Sequence, residues 1–374
     1  MPDLSLIMLG AGSSSRFNHQ VKKQWLRISH TPLWLYVTQM ISKSVDFKQI
    51  IVVCSKDELN YMKNFSEDII FVEGGESRQE SLKNALLHVK SEKVLVSDVA
   101  RAYIPQDMLQ RILDERLEAD IVVPFLPVSD TVVYQDKTIN RDEVKLIQTP
   151  QLSKTATLRA ALNSDIIYTD DSSAIKACGG SVAYVLGSSL ANKLTFINDL
   201  EFLKDFPAPS SDIFVGNGFD VHAFEDAKTM WLGGVKISEE YGFKAHSDGD
   251  VAIHALIDSL LGAMGGGDIG ELFPDTQEKY KDIDSKILLQ KVVEFICQVG
   301  YEIINTDITI MAQKPKLSQY KNSMKKTIAT ILKIDPVHVN IKATTTEKLG
   351  FVGREEGVAV NATATLKYHN WKCK

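Results

Sequence analysis

The stretch Asp250-Val-Ala-Ile-His-Ala-Leu-Ile-Asp-Ser-Leu-Leu261 decides the fold of the C-terminal half, because it has the composition of a buried helix. It is apolar almost all round and starts at an Asp-Gly-Asp turn, which can cap a helix N-terminus. After the cap, its polar groups are His254, Asp258 and Ser259. His254 and Asp258 are four residues apart, so they share one helical face.

An upstream segment can supply partners for that imidazole. In Gly218-Phe-Asp-Val-His222, Asp220 and His222 are two residues apart, so an extended chain directs both side chains to one face. A carboxylate and two imidazoles with one open position are the ligands of a catalytic, tetrahedral zinc site. The alternative is that His254 is an ordinary core histidine. The available Asp-x-His strand favours a zinc site formed by Asp220, His222 and His254.

The composition predicts an ordinary globular chain of two domains. It has 374 residues, of which 44% are hydrophobic and 24% charged. The net charge of −6 argues against nucleic-acid binding as the main role, so any anion site must be a local basic cluster.

The sequence also predicts a cytoplasmic location. The four cysteines are far apart and form no Cys-x-x-Cys pair, which favours reduced thiols. The N-terminus lacks a basic segment followed by a long apolar run, so no signal peptide and no membrane span is expected.

The segment Phe206-Pro-Ala-Pro-Ser-Ser-Asp212 reads as a linker and divides the chain into predicted domains 1–209 and 210–374. Upstream, strands alternate with helices, which predicts a Rossmann-like α/β domain with a mostly parallel sheet. The segments Thr131–Tyr134 and Lys145–Gln148 are expected to form an antiparallel arm. Downstream, the order of strands and helices predicts an α+β, ferredoxin-like domain.

The first predicted strand, Leu4–Leu9, runs into Gly10-Ala-Gly-Ser-Ser-Ser-Arg16, with Lys23 shortly after. A glycine turn at the carboxyl end of such a strand offers backbone N–H groups to phosphate. It is neither a dinucleotide fingerprint nor a Walker A loop. Arg16 and Lys23 fit a triphosphate site, but as a pattern alone they could equally be solvated surface charges.

Further segments make the first half resemble the 2-C-methyl-D-erythritol 4-phosphate cytidylyltransferases, from about Leu4 to Leu203. The matching segments, besides the glycine turn, are Asp98-Val-Ala-Arg101, Asp130-Thr131, Arg141, Thr149-Pro-Gln151, Thr169-Asp170 and Lys193. The chain departs from the family at Lys22-Lys-Gln-Trp25, where Pro-Lys-Gln-Tyr is usual. It also departs at Asp98-Val-Ala-Arg-Ala102, where Asp-Ala-Ala-Arg-Pro is usual.

This resemblance implies a division of roles. Arg16 and Lys23 would stabilise charge on the α-phosphate of CTP, while Arg141 and Lys193 would hold methylerythritol phosphate for in-line attack. Asp98 would help hold Mg²⁺ or Mn²⁺. The remaining residues implied in substrate binding are Gly12, Ser81, Arg101 and Thr131.

The second half, from about Ile213 to Leu366, resembles the 2-C-methyl-D-erythritol 2,4-cyclodiphosphate synthases. The motifs are Gly218–His222, Ala245–His254, Gly267–Gly270, Leu272–Asp275, Ala312–Lys316 and Lys342–Phe351 with Gly353-Arg354. The implied reaction is attack of the substrate's 2-phosphate on the β-phosphorus of its own CDP group, which expels CMP. Zinc would polarise the diphosphate, and Glu347 would help hold Mg²⁺ or Mn²⁺.

The same resemblance assigns the remaining residues. His246 and Ser247 would bind the 2-phosphate, and His246 and Thr345 would stabilise the pentacovalent state. Asp268 and Gly270 would bind ribose, Ala312–Ser318 cytosine, and Asp275 the methylerythritol hydroxyls. The family forms trimers with active sites between subunits and an apolar channel that Phe351 and Arg354 would line. The other implied substrate contacts are Ile269, Phe273, Lys316, Thr344 and Thr346.

Together these observations predict a bifunctional enzyme of the non-mevalonate isoprenoid pathway. Its substrates would be CTP, methylerythritol phosphate and the phosphorylated CDP derivative. A separate kinase must act between the two steps and is a predicted partner. The expected assembly is a homotrimer, extended to a hexamer if the N-terminal domains dimerise. Two alternatives stay open: an N-terminal transferase of other specificity, and a C-terminal domain that is only a zinc-stabilised trimerisation module.

Overall fold

The computed structural model describes residues 3–114, 119–164, 166–245, 247–273 and 283–372. These fall into two compact units. The first contains the described residues up to Ala208 together with Trp371 and Lys372, and the second is Pro209–Asn370. Trp371 joins the first unit because its indole N–H donates to the carbonyl of Arg27 at 2.7 Å. In the described part of the chain, no helix is long and apolar enough to cross a bilayer.

The first unit alternates strands and helices, as the sequence predicts. Its strands are β1 Leu4–Leu9, β2 Arg27–Ile28, β3 Thr31–Pro32, β4 Gln49–Cys54, β5 Ile70–Glu73, β6 Lys93–Asp98, β7 Ile121–Pro127, β8 Val132–Tyr134, β9 Lys137–Ile139, β10 Lys145–Ile147, β11 Gln151–Lys154 and β12 Val182–Leu186. Its helices are α1 Leu33–Ser44, α2 Lys56–Lys63, α3 Arg78–Leu86, α4 Gln106–Asp114, α5 Thr155–Leu162 and α6 Asp171–Ala177.

The main sheet of this unit has the order β10-β7-β11-β6-β1-β4-β5, and β12 pairs with β7. Strands β6, β1, β4 and β5 are parallel, whereas β11 runs antiparallel between β6 and β7. The carboxyl ends of the four parallel strands therefore meet at one edge. Apolar side chains of β1, β4 and β6 pack against α3, α5 and α6 to form a core.

The second unit is a five-stranded mixed sheet of order β16-β13-β19-β17-β18 with helices and a small hairpin. Its strands are β13 Ile213–Asp226, β14 Met230–Leu232, β15 Val235–Ser238, β16 Tyr241–Phe243, β17 Tyr301–Met311, β18 Val339–Thr344 and β19 Gly357–Tyr368. Its helices are α7 Val251–Met264, α8 Ile269–Leu272, α9 Ser285–Gln298, α10 Lys321–Leu332 and α11 Gly350–Gly353.

Helix α7 lies unusually close to β13, and two glycines make this possible. A Cβ atom at Gly216 would be 2.0 Å from the carbonyl oxygen of Ser259, and one at Gly218 would be 2.0 Å from that of Ala255. Side chains of β13 alternate between the α7 side and the exposed side, as a pleated strand requires. Asp220 and His222 are therefore directed towards α7.

The two-domain α/β plus α+β prediction is confirmed, and both the predicted strand Leu4–Leu9 and the predicted helix after Asp250 are present. The arm differs, because Val132–Tyr134 pairs with Lys137–Ile139, whereas Lys145–Ile147 pairs with β7 in the main sheet. Ser77 and Glu80 at the start of α3 have the spacing of a capping box, which is only half formed. Ser77 accepts from the Glu80 N–H at 3.0 Å, but the Glu80 carboxylate accepts from Glu76 instead.

Candidate active sites

A cavity of about 520 Å³ opens at the carboxyl edge of the first sheet. The turn after β1 forms one wall, and the segment from Gly75 to Arg78, after β5, forms another. The two turns touch, since a Cβ atom at Gly74 would be 2.4 Å from that of Ala11. The register pairs Leu9 of β1 with Asp98 of β6, which brings the end of β6 to the same edge.

Six residues that the sequence singles out line this cavity: Gly12, Arg16, Lys23, Ser81, Asp98 and Lys193. The Lys193 ammonium lies 3.0 Å from a carboxylate oxygen of Asp98, and the Lys23 ammonium donates to the carbonyl of Leu194 at 3.0 Å. Arg78 also lines the cavity and is held by the buried carboxylate of Asp171. The sequence analysis gave Arg78 no role, since its partner is far away along the chain.

The charges in this cavity shift one another's pKa values. Burial opposes ionisation of Asp98, but Lys193, Arg78 and Arg101 outweigh it and lower its pKa to about 2. Burial, together with the nearby charges of Lys193 and Arg16, lowers the pKa of Lys23 despite the opposing charge of Asp98. The cavity is thus lined mainly by cations, and the Asp98 carboxylate among them is ionised at neutral pH.

Three other predicted residues of this unit lie outside the cavity. Arg101 is buried beneath it, where its guanidinium donates to Thr149 Oγ1 at 2.7 Å and to the carbonyl of Ala191. Thr149 in turn donates to Asp98 at 3.2 Å, so Arg101 holds the threonine that donates to the carboxylate. Thr131 and Arg141 are exposed on the arm, where Arg141 donates to the carbonyl of Ser129.

In the second unit, Asp220, His222 and His254 converge, with one ligand atom from each lying within 4.8 Å of the others. One oxygen of Asp220, Oδ2, lies 3.3 Å from His222 Nε2 and 3.3 Å from His254 Nδ1. The Asp-x-His spacing on β13 and the first turn of α7 bring these atoms together. Asp250 caps that turn by accepting from the Ile253 N–H at 3.1 Å.

Hydrogen bonds hold both imidazoles in place. His222 Nδ1 lies 2.9 Å from the carbonyl oxygen of Gly249, which can only accept, so Nδ1 carries the proton. His254 Nε2 lies 3.2 Å from Ser247 Oγ and 3.0 Å from Ser285 Oγ. Hydrogen bonds of this kind orient metal-binding histidines. Ser285 escaped the sequence analysis because it is remote in the chain from His254.

The pKa shifts follow from this proximity. Burial raises the pKa of Asp220, but the two histidines outweigh it and the net pKa is lowered. Burial dominates at His222 and lowers its pKa, despite Asp220. At His254 burial also opposes the charge, but the hydrogen bond and the charge of Asp220 prevail and raise the pKa. Of the two imidazoles, His254 therefore holds a proton more readily than His222, because Asp220 is its hydrogen-bond partner.

Asp258, on the same face of α7 as His254, ties the next predicted segment to this region. One of its carboxylate oxygens accepts from the Ile269 N–H at 2.9 Å, and Asp268 caps α8 through the Glu271 N–H at 3.0 Å. The predicted ribose residues Asp268 and Gly270, with the predicted substrate contact Ile269 between them, thus lie beside the helix that carries His254. Phe273, which ends this segment, is buried.

The remaining predicted residues are not in this cluster. Ala312 donates to the carbonyl of Thr344 at 3.0 Å, so the predicted cytosine segment adjoins the threonines. Glu347 accepts from Thr345 Oγ1 at 2.9 Å. The exposed or partly exposed members of this group are Lys316, Thr344, Thr345, Thr346, Glu347, Phe351 and Arg354. His246 and Asp275 lie outside the described residues.

The structure therefore contains a cationic cavity on an α/β domain and an Asp-His-His cluster on an α+β domain. Two family profiles agree with this division. The 2-C-methyl-D-erythritol 4-phosphate cytidylyltransferase profile matches residues 4–205, and the YgbB family profile matches residues 213–367.

Whole-chain relatives match as well. The chain is 58% identical to the bifunctional enzyme IspD/IspF of Aliarcobacter butzleri, with 100% of each chain covered. It is 57% identical to that of Campylobacter fetus, covering 100% of this chain and 99% of the relative. The solved bifunctional IspDF of Campylobacter jejuni is 48% identical with a TM-score of 0.88, over 99% of this chain and 100% of that one.

The chain therefore belongs to the bifunctional IspD/IspF enzymes of the methylerythritol phosphate pathway of isoprenoid biosynthesis. It combines a cytidylyltransferase domain with a cyclodiphosphate synthase domain. The predicted bifunctional enzyme is confirmed, and the alternative of a purely structural C-terminal module is rejected.

Proposed function

We propose that the first domain transfers CMP from CTP to 2-C-methyl-D-erythritol 4-phosphate and releases pyrophosphate. The second domain would convert 4-CDP-2-C-methyl-D-erythritol 2-phosphate to the 2,4-cyclodiphosphate and release CMP. We propose a boundary at 209/210, one residue from the division of the compact units between Ala208 and Pro209, and assign Trp371 and Lys372 to the first domain.

In the first domain, Arg16 and Lys23 would neutralise the charge that develops on the α-phosphate of CTP as pyrophosphate leaves. Gly12 and its neighbours would offer backbone N–H groups, and Ser81 would contact the nucleotide. Asp98 is ionised and fits a Mg²⁺ or Mn²⁺ ion, which would add charge neutralisation at the phosphates. Lys193, beside Asp98, would hold the acceptor phosphate.

Arg141 and Thr131 also belong to the proposed acceptor site, although they lie on the exposed arm. Val133 and Tyr134 on the same arm are 61% and 62% exposed, so the arm presents neighbouring apolar side chains that a second copy could cover. We propose that the arm reaches the cavity of a second copy, so that the first domain dimerises. Size-exclusion chromatography of Tyr134→Asp, expected to lower the oligomeric state, tests this.

In the second domain, the donor set fits a divalent ion. His222 Nε2 has its lone pair free, because Nδ1 carries the proton, and it faces an Asp220 oxygen at 3.3 Å. His254 Nδ1 faces the same oxygen at 3.3 Å. Such acceptor atoms repel one another unless a proton or a metal ion lies between them. We propose that this cation is Zn²⁺, whose tetrahedral catalytic sites use three such ligands.

When bound, zinc would polarise the diphosphate of the substrate. The protein's own groups would position the reactants. Ser247, beside His254, would bind the 2-phosphate together with His246. The ribose would lie against Asp268, Ile269 and Gly270, and cytosine against the segment from Ala312 through Lys316 to Ser318. Asp275 and Phe273 would contact the methylerythritol end.

A trimer is supported by the separation of two half-sites. The sheet register places Thr344 of β18 three strand spacings from Val221 of β13, which is about 14 Å. Glu347 and a second ion, Mg²⁺ or Mn²⁺, would have to lie next to the zinc-bound diphosphate, along with Thr344, Thr345 and Thr346. We propose that these groups come from a neighbouring copy, with Phe351 and Arg354 near the threefold axis.

The exposed face of β13 supports the same assembly. Ile213, Val215, Phe219 and Val221 form an apolar row on one face of β13 and are 56%, 64%, 58% and 44% exposed, with Asn217 between them on the same face. Exposed apolar side chains grouped in this way mark an interaction surface. If the first domains dimerise as well, the trimers would join into a hexamer.

The convergence of Asp220, His222 and His254 carries the cyclase proposal, and CMP release tests it. The purified chain should release CMP from 4-CDP-2-C-methyl-D-erythritol 2-phosphate, and Asp220→Asn should lose this activity while keeping cytidylyl transfer. Equal CMP release by Asp220→Asn would contradict the proposal.

Another specificity of the first domain stays open, because the chain departs from the usual motif at Lys22–Trp25 and Val99–Ala102. Pyrophosphate release with four nucleoside triphosphates, with and without methylerythritol phosphate, decides this. We also propose that the pathway kinase associates with this enzyme, since it acts between the two steps. Absence of co-elution of the purified proteins would contradict that association.

A further inference from the structure

We propose that Asp248 and Ser285 form a hydrogen-bond relay that fixes the tautomer of His254 and thereby sets the affinity of the site for its divalent ion. Neither residue belongs to the ligand cluster. Both act through the imidazole and are positioning residues. The inference rests on the metal site proposed above and deepens it.

The relay begins at a carboxylate that main-chain donors hold in place. One oxygen of Asp248 accepts from the Asp250 N–H at 3.2 Å, and the other accepts from the Ser285 N–H at 3.2 Å. Ser285 Oγ lies 2.5 Å from the first oxygen. An ionised carboxylate can only accept, so the Ser285 hydroxyl donates its single proton to Asp248.

The direction of this hydrogen bond determines whether the Ser285 hydroxyl donates to His254 or accepts from it. Ser285 is fully buried, and its Oγ lies 3.0 Å from His254 Nε2. Because its proton is used for Asp248, Oγ must accept from an Nε2–H group. In the neutral imidazole, which is the form that binds a metal, Nδ1 of His254 then carries the lone pair and faces Asp220.

Ser247 provides a comparison within the same site. Its Oγ lies 3.2 Å from His254 Nε2, almost as close as that of Ser285. It accepts from the Gly249 N–H at 3.1 Å, but in the described structure its hydroxyl has no carboxylate partner. The direction of its hydrogen bond is therefore not fixed. Its proton can turn to a substrate phosphate, so we expect Ser247 to affect substrate binding and not metal affinity.

The test is the dissociation constant for Zn²⁺, measured on the full-length chain by competition with a chromophoric chelator. Ser285→Ala and Asp248→Asn should each weaken binding by about 10–100-fold, the usual effect of removing a partner of a metal-bound histidine. The asparagine side chain has the same shape but only one acceptor oxygen. It therefore cannot accept from the Ser285 hydroxyl at one position and from the Ser285 N–H at the other. The double variant should bind no more weakly than the weaker single one.

Ser247→Ala is the matched control and should keep the wild-type affinity. Ser285→Ala or Asp248→Asn with wild-type affinity, or Ser247→Ala with an equal loss, would overturn the relay. If one relay variant fails to fold, as judged by circular dichroism, the other decides. Failure of the wild-type chain to bind Zn²⁺ would instead overturn the metal site itself, and the relay with it.

Discussion

At the scale of residues, each site brings together groups that repel one another. In the first domain, Arg16, Lys23 and Arg78 face a cavity that contains the Asp98–Lys193 pair. In the second, two imidazoles share one carboxylate oxygen. Such arrangements cost folding stability and are typical of functional sites. In the proposed function, polyphosphate substrates supply the missing negative charge in the first case, and a divalent ion the missing positive charge in the second.

The lowered pKa of Lys23 predicts a pH dependence of cytidylyl transfer. Since burial and the neighbouring cations lower this pKa, Lys23 loses its charge as pH rises, at a lower pH than an ordinary lysine. We expect kcat/KM for CTP, which reports the free enzyme, to fall at alkaline pH through this ionisation. Lys23→Arg, which stays charged, should move that fall to higher pH. An unchanged alkaline limb in Lys23→Arg would show that another group causes it.

The second prediction concerns Glu347. Glu347→Gln keeps the shape of the side chain but removes the charge that a second ion needs. We expect CMP release to fall by about 10²–10³-fold, with the oligomeric state unchanged in size-exclusion chromatography. The control is Glu239→Gln, an exposed carboxylate on the β15–β16 turn that pairs with Lys236. Retained activity in Glu347→Gln would remove this residue from the proposed mechanism.

At the scale of elements, the sequence predicted the metal cluster because both contributing segments have strict local periods. The two-residue spacing of Asp220 and His222 and the apolar run of α7 each fix which face a side chain occupies. The relay could not be predicted, because Asp248 and Ser285 meet only after α9 packs against the start of α7. Likewise β11 escaped prediction, since Gln151–Lys154 is a short segment with weak alternation.

The glycines of β13 give a test at this scale. Gly218→Ala would place Cβ 2.0 Å from the Ala255 carbonyl, so α7 must move away and carry His254 with it. We expect an overpacking loss of about 1–3 kcal/mol in the free energy of unfolding of the second domain. Zn²⁺ affinity measured by chelator competition should fall as well.

The control for this test is Gly262→Ala in α7, the helix that faces Gly218. There the nearest atoms to a new Cβ are 3.9 Å away, so the alanine fits and improves helix propensity. Gly262→Ala should keep metal affinity and stability. A Gly218→Ala variant as stable and as metal-bound as Gly262→Ala would mean that the close approach of β13 and α7 does not position the site.

At the scale of the whole molecule, the chain consists of two compact units with separate chemistry. Composition and the proline-containing linker predicted two domains, but not that Trp371 packs with the first of them. That contact depends on tertiary structure, because the indole N–H finds its acceptor at Arg27, remote in the chain. Contacts between copies likewise leave no periodic pattern in the sequence. The proposed trimer is therefore supported by exposed apolar surface and by the separation of the two half-sites.

The apolar row of β13 predicts separable effects on the two activities. Phe219→Asp puts a charge into the proposed trimer surface and should lower the oligomeric state of the second domain. CMP release should fall with it, whereas pyrophosphate release from CTP should persist. Ile287→Asp is the control, because Ile287 is 47% exposed on α9, in the helical layer. An intact assembly with full cyclase activity in Phe219→Asp would contradict the trimer surface.

The central claim is that one zinc ion binds between Asp220, His222 and His254. Anomalous diffraction at the zinc absorption edge, from crystals of the full-length protein, measures this directly. We predict one strong peak about 2.0–2.2 Å from an Asp220 oxygen, His222 Nε2 and His254 Nδ1. A cyclase-active protein with no peak there, or with its peak at another group of ligands, would contradict the account.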